Sequence, residues 1–373
     1  MNPFLYQYSC CGKNFCSRCE ELEQLNKMIL NNSNVVLYSK RKVGKTSLIK
    51  VFFSDKIDTD KYLTIYMDLF DITNPTDFAK LLYKQIAISI PCDYKTILKE
   101  LKELFNRVNF TATMKDDGEL EFVPVLSSYN FDELMSDIYR GIEKLSQNYD
   151  KKIVIACDEF QQITLIKEIK IDVILSKLIQ KYPDINYIFT GLKRHLLTEL
   201  FSKRKSPLYD TVSLLELKPI PIELFYKFVN EKFNGRLDFV HFEYIYNMTD
   251  GESRLIQEFC YYLYHDESNN KNHKITQEDI DKVCQLHLES KSGYFRMLLD
   301  RLSLPQKVAL KAVIICDGTE LYTKETLFKL QTTKSSLNTA IRNLYKDEII
   351  DKENNKYYIT NRCFELWCRK KFV

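Results

Sequence analysis

What these 373 residues lack narrows the class of protein. No apolar run approaches the ~18 residues that a membrane span needs, and no positive-then-apolar N-terminal segment resembles a signal peptide. No internal repeat and no low-complexity tract recurs, which argues against solenoids and long linkers. No charge of one sign dominates: 54 Lys+Arg face 51 Asp+Glu, a net of +3, so the total names no partner. Cysteine is present, but its eleven residues are odd in number and mostly scattered, unlike a disulfide framework. A cytoplasmic chain with reduced thiols and no membrane partner is expected.

An apolar fraction of 45% suits a globular protein with real cores, and 373 residues exceed one ordinary domain. The chain is most informative at 34–52. Val35, Val36, Leu37 and Tyr38 read as a short buried strand, followed by a basic loop and Gly44-Lys45-Thr46. Leu48, Ile49, Phe52 and Phe53 then share one helical face. Strand, loop, Gly-Lys-Thr and helix form the context of a phosphate-binding loop. Backbone N–H groups and the helix N-terminus would face phosphate oxygens. Ser39, Lys40, Arg41, Lys42, Val43, Gly44, Lys45, Thr46 and Ser47 are the candidate nucleotide contacts. Lys45 would reach the β- and γ-phosphates, and the Thr46 hydroxyl would ligate Mg²⁺. The motif departs from its pattern at Ser39, where a glycine is wanted for its freedom at positive φ. The alternative is a basic strand-to-helix turn without a ligand.

Upstream, Cys10, Cys11, Cys16 and Cys19 have spacing that a Zn²⁺ or Fe–S site uses, with no histidine nearby. The plainer reading is four small thiols beside a helix start. Downstream, 62–69 reads as a strand with Asp68 near its end, and 75–90, 94–107 and 131–148 read as helices. A polar insertion, hairpin-like around Asp116-Asp117-Gly118, stands between the last two.

The second informative stretch is Lys151 to Gln162. Ile153–Cys157 forms an apolar strand that ends in Asp158 and Glu159. Asp158 would hold Mg²⁺, and Glu159 would activate the attacking water. A further strand, 186–191, carries Thr190 as a candidate sensor of the γ-phosphate. Arg194 and Arg204, in two basic stretches, are candidate cations for the developing charge, or else lie on solvated turns. A fifth strand, 212–217, is followed by helices at 221–233, 239–248, 252–265 and 276–288.

From Arg296 onward the balance turns basic, with 15 Lys+Arg against 9 Asp+Glu. Helices at 305–316, 324–330 and 334–346 and a hairpin-like stretch at 349–359 read as a winged helix. Lys334, Ser335, Asn338 and Arg342 share the face opposite Leu337, Ala340, Ile341 and Leu344, and would enter the major groove of duplex DNA. The same face would alternatively meet a protein partner or stay solvated.

The order of these motifs resembles the archaeal-type ATPases, P-loop proteins related to AAA+ proteins and to the signal-transduction ATPases with numerous domains. Asn2-Pro3-Phe4 with Phe15-Cys16-x-Arg18-x-x-Glu21 looks like the family's N-terminal box. Leu37 to Thr46 is similar to its phosphate loop, whose first glycine is often replaced, and Asp158-Glu159-Phe160-Gln161-Gln162 to its extended Walker B motif. Phe189-Thr190-Gly191, Arg194-His195 and Pro207-Leu208-Tyr209 resemble the block that follows. The resemblance departs at Leu192, where serine is common, and at Asp210, where arginine often stands. An arginine finger from 210 is therefore unsupported, which leaves Arg194 and Arg204. Trp367 looks like a core anchor.

The resemblance implies an α/β P-loop fold with a parallel sheet ordered 5-1-4-3-2, Thr190 close to the γ-phosphate, Arg18 among the nucleotide contacts, and ATP with Mg²⁺ as ligands. The expected layout is an ATPase core at 1–218, a helical lid at 219–295 and a winged helix at 296–373. The expected function is slow ATP hydrolysis as a switch. The alternative is a DNA-binding regulator or protein-interaction switch with structural nucleotide. A finger from a second copy would require an oligomer, which the sequence leaves open.

Overall fold

The computed structural model describes residues 2–6, 12–16, 18–39, 42–91, 93–105, 108–114, 120–125, 130–191, 197, 200–266 and 273–372. The chain divides into two compact units, 8–219 and 1–7 with 220–373.

The first unit contains β1 (Val35–Tyr38), β2 (Tyr62–Asp68), β3 (Asn109–Met114), β4 (Leu120–Val125), β5 (Lys152–Asp158), β6 (Ile185–Gly191) and β7 (Ser213–Glu216). Five of them form a parallel sheet in the order β2-β5-β6-β1-β7, and β3 pairs with β4 as a separate antiparallel hairpin. Alternate residues of a strand point to opposite faces, and both faces are apolar here. Val36, Ile65, Met67, Ile153, Ile155 and Phe189 enter one core. Val35, Leu37, Val154, Ala156 and Ile188 enter the other.

Helices α1 (Cys19–Leu30), α2 (Lys45–Val51), α3 (Pro75–Ser89), α4 (Tyr94–Leu104), α5 (Phe131–Tyr149) and α6 (Ile171–Lys181) cover these faces. Helices α1 and α2 contribute Leu25, Ile29, Leu48 and Ile49 to the second core, while α3 to α6 pack on the first. An all-parallel sheet needs this double cover, because its strands have no polar face to offer to water. Local chemistry sets the boundaries. Asn74 caps α3 by accepting the Asp77 N–H at 3.0 Å, with Pro75 in the first turn. Helix α4 ends at Leu104, short of the expected 107, and Phe105 after it is buried. Phe110 and Phe122 anchor the hairpin inward; its expected Asp116-Asp117-Gly118 tip lies outside the described residues.

The second unit holds α7 (Ile222–Lys232), α8 (Phe239–Met248), α9 (Ser253–Asp266), α10 (Gln277–Ser290), α11 (Ser292–Asp300), α12 (Leu304–Ile315), α13 (Lys324–Lys329), α14 (Lys334–Lys346), β8 (Ile350–Glu353), β9 (Lys356–Ile359) and α15 (Arg362–Phe372). Helices α11 and α15 were not foreseen as separate elements. Both close the core around Trp367, whose ring lies 5.8 Å from Phe295 and 6.1 Å from Phe364. Arg362 Nε donates to the Met248 carbonyl at 2.8 Å, tying α15 to the end of α8. The N-terminal Phe4 is fully buried in this unit, 4.8 Å from the Phe233 ring. Lys232 Nζ donates to the Pro3 carbonyl at 2.7 Å. No described helix is long and apolar enough to cross a membrane.

Candidate nucleotide-binding site

The site lies at the C-terminal ends of the parallel strands, where open α/β sheets receive ligands. The chain leaves β1 at Tyr38 and enters α2 at Lys45 through Gly44, whose φ of +103° is open to glycine and costly for any residue with a Cβ. Helix α2 continues through a π-helical turn, Phe52–Lys56. Its first-turn N–H groups have no carbonyl of their own helix to bond, and its dipole favours an anion at that end. Lys45 is buried at 5% exposure, and its Nζ donates to Ser39 Oγ at 3.0 Å. Ser39 thus holds the lysine inside the loop, a hydroxyl contact that glycine at this position would not provide. Lys40 and Arg41 lie outside the described residues, as do Arg194, Cys10 and Cys11.

Asp158 is the electrostatic centre. It ends β5 at 3% exposure, and a buried carboxylate must be met by donors. Thr46 Oγ1 donates to Oδ2 at 2.6 Å and the Tyr66 hydroxyl donates to the same oxygen at 2.9 Å. The Glu159 N–H donates to Oδ1 at 3.0 Å, and the Thr190 hydroxyl donates to Oδ1 as well. These four bonds join α2, β2, β5 and β6 at one carboxylate and fill its acceptor positions. Burial, reinforced by the charge of Asp158, pushes the Tyr66 phenol well up, so it remains a donor. Asp68 stands opposite Asp158 in register.

The sequence patterns singled out Thr46, Asp158 and Thr190 but missed Tyr66. Its signal was its place two residues before Asp68 on the same face of β2. The expected sheet order puts β2 beside β5, but nothing local marks Tyr66 as the residue whose hydroxyl meets Asp158.

Glu159 follows with φ of +53°, left-handed for a residue with a side chain, a strain of about 1–3 kcal/mol that clusters at functional sites. Burial raises its carboxyl above the ordinary value; donation from Gln161 opposes this, and the neighbouring Asp158 adds to it. Gln161 is also unforeseen as a site residue: its Nε2 donates to Glu159 Oε2.

Further candidates have these surroundings. Arg18 is buried, and its guanidinium donates to the Val43 carbonyl at 2.9 Å, the Lys218 carbonyl at 2.9 Å and Glu21 Oε1 at 2.7 Å. Its place beside the phosphate loop is therefore a clamp on the loop's backbone. Arg204 is exposed on the turn at 203–206. No hydrogen bond or ion pair among the described residues joins it to Lys45, Asp158 or Glu159. Cys16 is buried and Cys19 exposed; no cluster of three or more metal-binding His, Cys, Asp or Glu side chains occurs among the described residues.

A family profile for the ATPase domain predominantly from Archaea matches residues 15–259, which span the sheet, the loop and Asp158. The chain belongs to that family. The chain is 26% identical over 164 residues to an uncharacterised ATP-binding protein of Methanocaldococcus jannaschii, across 41% of its own length and 44% of the relative's. It therefore matches less than half of that relative. In fold it is similar to a Walker-type ATPase of Pyrococcus abyssi, at a TM-score of 0.64 and 16% identity over 98% of this chain and 99% of that one. The Orc2 protein of Aeropyrum pernix, in its ADPNP–ADP complexes, gives 0.58 and 12% over 98% and 96%. The Aeropyrum pernix Orc1 protein, solved in complex with DNA, gives 0.50 and 12% over 96% and 94%. The fold is thus the α/β fold of P-loop ATPases.

Proposed function

We propose that the chain binds ATP between the β1–α2 loop and the end of β5 and hydrolyses it slowly, as a nucleotide switch. The observation that carries this reading is the Thr46–Asp158 hydrogen bond of 2.6 Å. It joins the Gly-Lys-Thr helix to the acid of β5, with Glu159 next in the chain. Mg²⁺ fits these residues: Thr46 gives its proton to Asp158, so its lone pairs are available to a cation. A site of one hydroxyl, waters and phosphate oxygens, with the Asp158 carboxylate behind the Thr46 hydroxyl and the metal's waters, needs no protein cage. When bound, Mg²⁺ would neutralise charge on the phosphate oxygens.

The protein groups do the rest. Lys45 exchanges Ser39 for phosphate oxygens, while the N–H groups of residues 42–47 line the loop. Glu159 takes a proton from the attacking water. Thr190 acts on the γ-phosphate through Asp158, which its hydroxyl holds. Arg194 or Arg204 meets the developing charge. Helices α12–α14 with β8 and β9 act as a winged helix that answers to the nucleotide, and a second copy or another protein is a partner compatible with this switch. The test is phosphate release from Mg-ATP. Lys45→Ala should abolish ATP binding. Glu159→Gln should bind ATP and lose about 10²–10⁴-fold in turnover; near-normal turnover would remove Glu159 from this role.

A second reading is a DNA-binding regulator in which ATP is structural. It is favoured by the exposure of Lys334, Ser335, Asn338 and Arg342 on α14, and by the Orc1 neighbour having been solved with DNA. Duplex affinity that falls steeply with salt supports it, whereas no binding at low salt removes it.

A further inference from the structure

Gln161 is 2% exposed, in the short 3₁₀ turn Phe160–Leu165 that follows Glu159. Its carboxamide is divided between two tasks. Only the NH₂ end can face an ionised carboxylate, and Nε2 donates to Glu159 Oε2. The other end is thereby aimed at the last residue of β6. Oε1 lies so close to Gly191 that a Cβ added there would stand 1.9 Å from it. This oxygen is buried and has no hydrogen-bond partner. A buried carbonyl left unpaired costs stability, so packing alone gives no reason to keep an amide here.

We propose that Gln161 is a positioning residue for ATP hydrolysis: pressed against Gly191, its amide pins the Glu159 carboxylate in place to receive the proton of the attacking water. The left-handed backbone at Glu159 makes such a pin necessary, because this conformation is locally unfavourable and leaves the side chain without support from a regular element. Gly191 belongs to the device as the residue whose missing side chain makes room for the amide. The proposal rests on reading Glu159 as the general base.

The experiment uses the full chain and two readouts: the dissociation constant for Mg-ATP, and the single-turnover rate of phosphate release at saturating ATP. Gln161→Leu keeps the bulk and removes the donor. It should lower the rate at least tenfold with affinity within about twofold, since small misplacements of a reacting group are costly. Gly191→Ala should produce a similar loss by displacing the amide. In a Gln161→Ala background, where the clashing atoms are gone, Gly191→Ala should lower the rate no further, and this non-additivity measures the coupling. A wild-type rate in Gln161→Leu, a fall in affinity that accounts for the loss, or additive effects of the two sites would overturn the role of Gln161. A Gln161→Leu chain that does not fold leaves the Ala pair to decide by the same criteria. Wild-type protein without turnover, or turnover that survives Glu159→Gln, overturns the reading of Glu159 itself, and so separates the two failures.

Discussion

At the scale of single residues, the site is organised by what a buried carboxylate needs. Asp158 accepts from Thr46, Tyr66, Thr190 and its neighbour's N–H. Two of the side-chain donors come from motifs visible in the chain, and one, Tyr66, does not. Tyr66→Phe should lower stability by about 1 kcal/mol, the worth of one hydrogen bond to a group that keeps its other donors. The urea midpoint should fall with the slope unchanged and ATP binding retained. A stability equal to wild type would show that the remaining donors compensate. Lys45 carries the opposite lesson. Its position after Gly44 was legible, but its resting partner was not, because Ser39 meets it only once the loop has closed.

At the scale of elements, legibility followed the strength of the local signal. Strand β5 is an unbroken apolar run, buried from its second residue to its last, and Asn74-Pro75 marks the start of α3. Helix α14 was visible from its apolar stripe, and its start is set by Thr333, whose hydroxyl accepts the Ser336 N–H at 3.2 Å. Thr333→Ala should cost about 1 kcal/mol and should loosen the first turn, where Lys334 and Ser335 stand. Hydrogen exchange of α14 amides is the check, with faster exchange confined to that turn as the expected result. Elements with weaker marks were missed. Helices α11 and α15 follow earlier elements closely and carry mixed surfaces, so their separate existence depends on the Phe295, Phe364 and Trp367 rings meeting.

At the scale of the whole molecule, the start of the chain belongs with its C-terminal part. The resemblance groups Asn2-Pro3-Phe4 with Phe15-Cys16-x-Arg18-x-x-Glu21 in the family's N-terminal box. The structure buries Phe4 against Phe233 and Tyr264, and ties Asn2 Nδ2 to the Tyr261 carbonyl at 2.9 Å. Phe4→Ala should therefore destabilise the unit of residues 1–7 and 220–373 by about 3–5 kcal/mol, the cost of a large cavity. Two-step unfolding in urea, with the loss confined to the step reported by Trp367 fluorescence, is the expected outcome. An unchanged Trp367 transition would deny that the segment is part of this core.

What the chain determined by itself is whatever short-range pattern dictates: which runs are strands or helices, where a phosphate-sized loop stands, and which acids end an apolar strand. Periodicity and the chemistry of Gly44, Lys45, Thr46 and Asp158 act over a few residues and can be read without a fold. Only the tertiary structure brought Thr46 and Thr190 to the two oxygens of the Asp158 carboxylate. It also decided that Tyr66 completes that carboxylate, and that Gln161 lies between Glu159 and Gly191. The reason is physical. Parallel strands pair through backbone bonds that are nearly indifferent to sequence. Their order is set by how helices and loops cover both faces of the sheet, and that is a property of the whole chain.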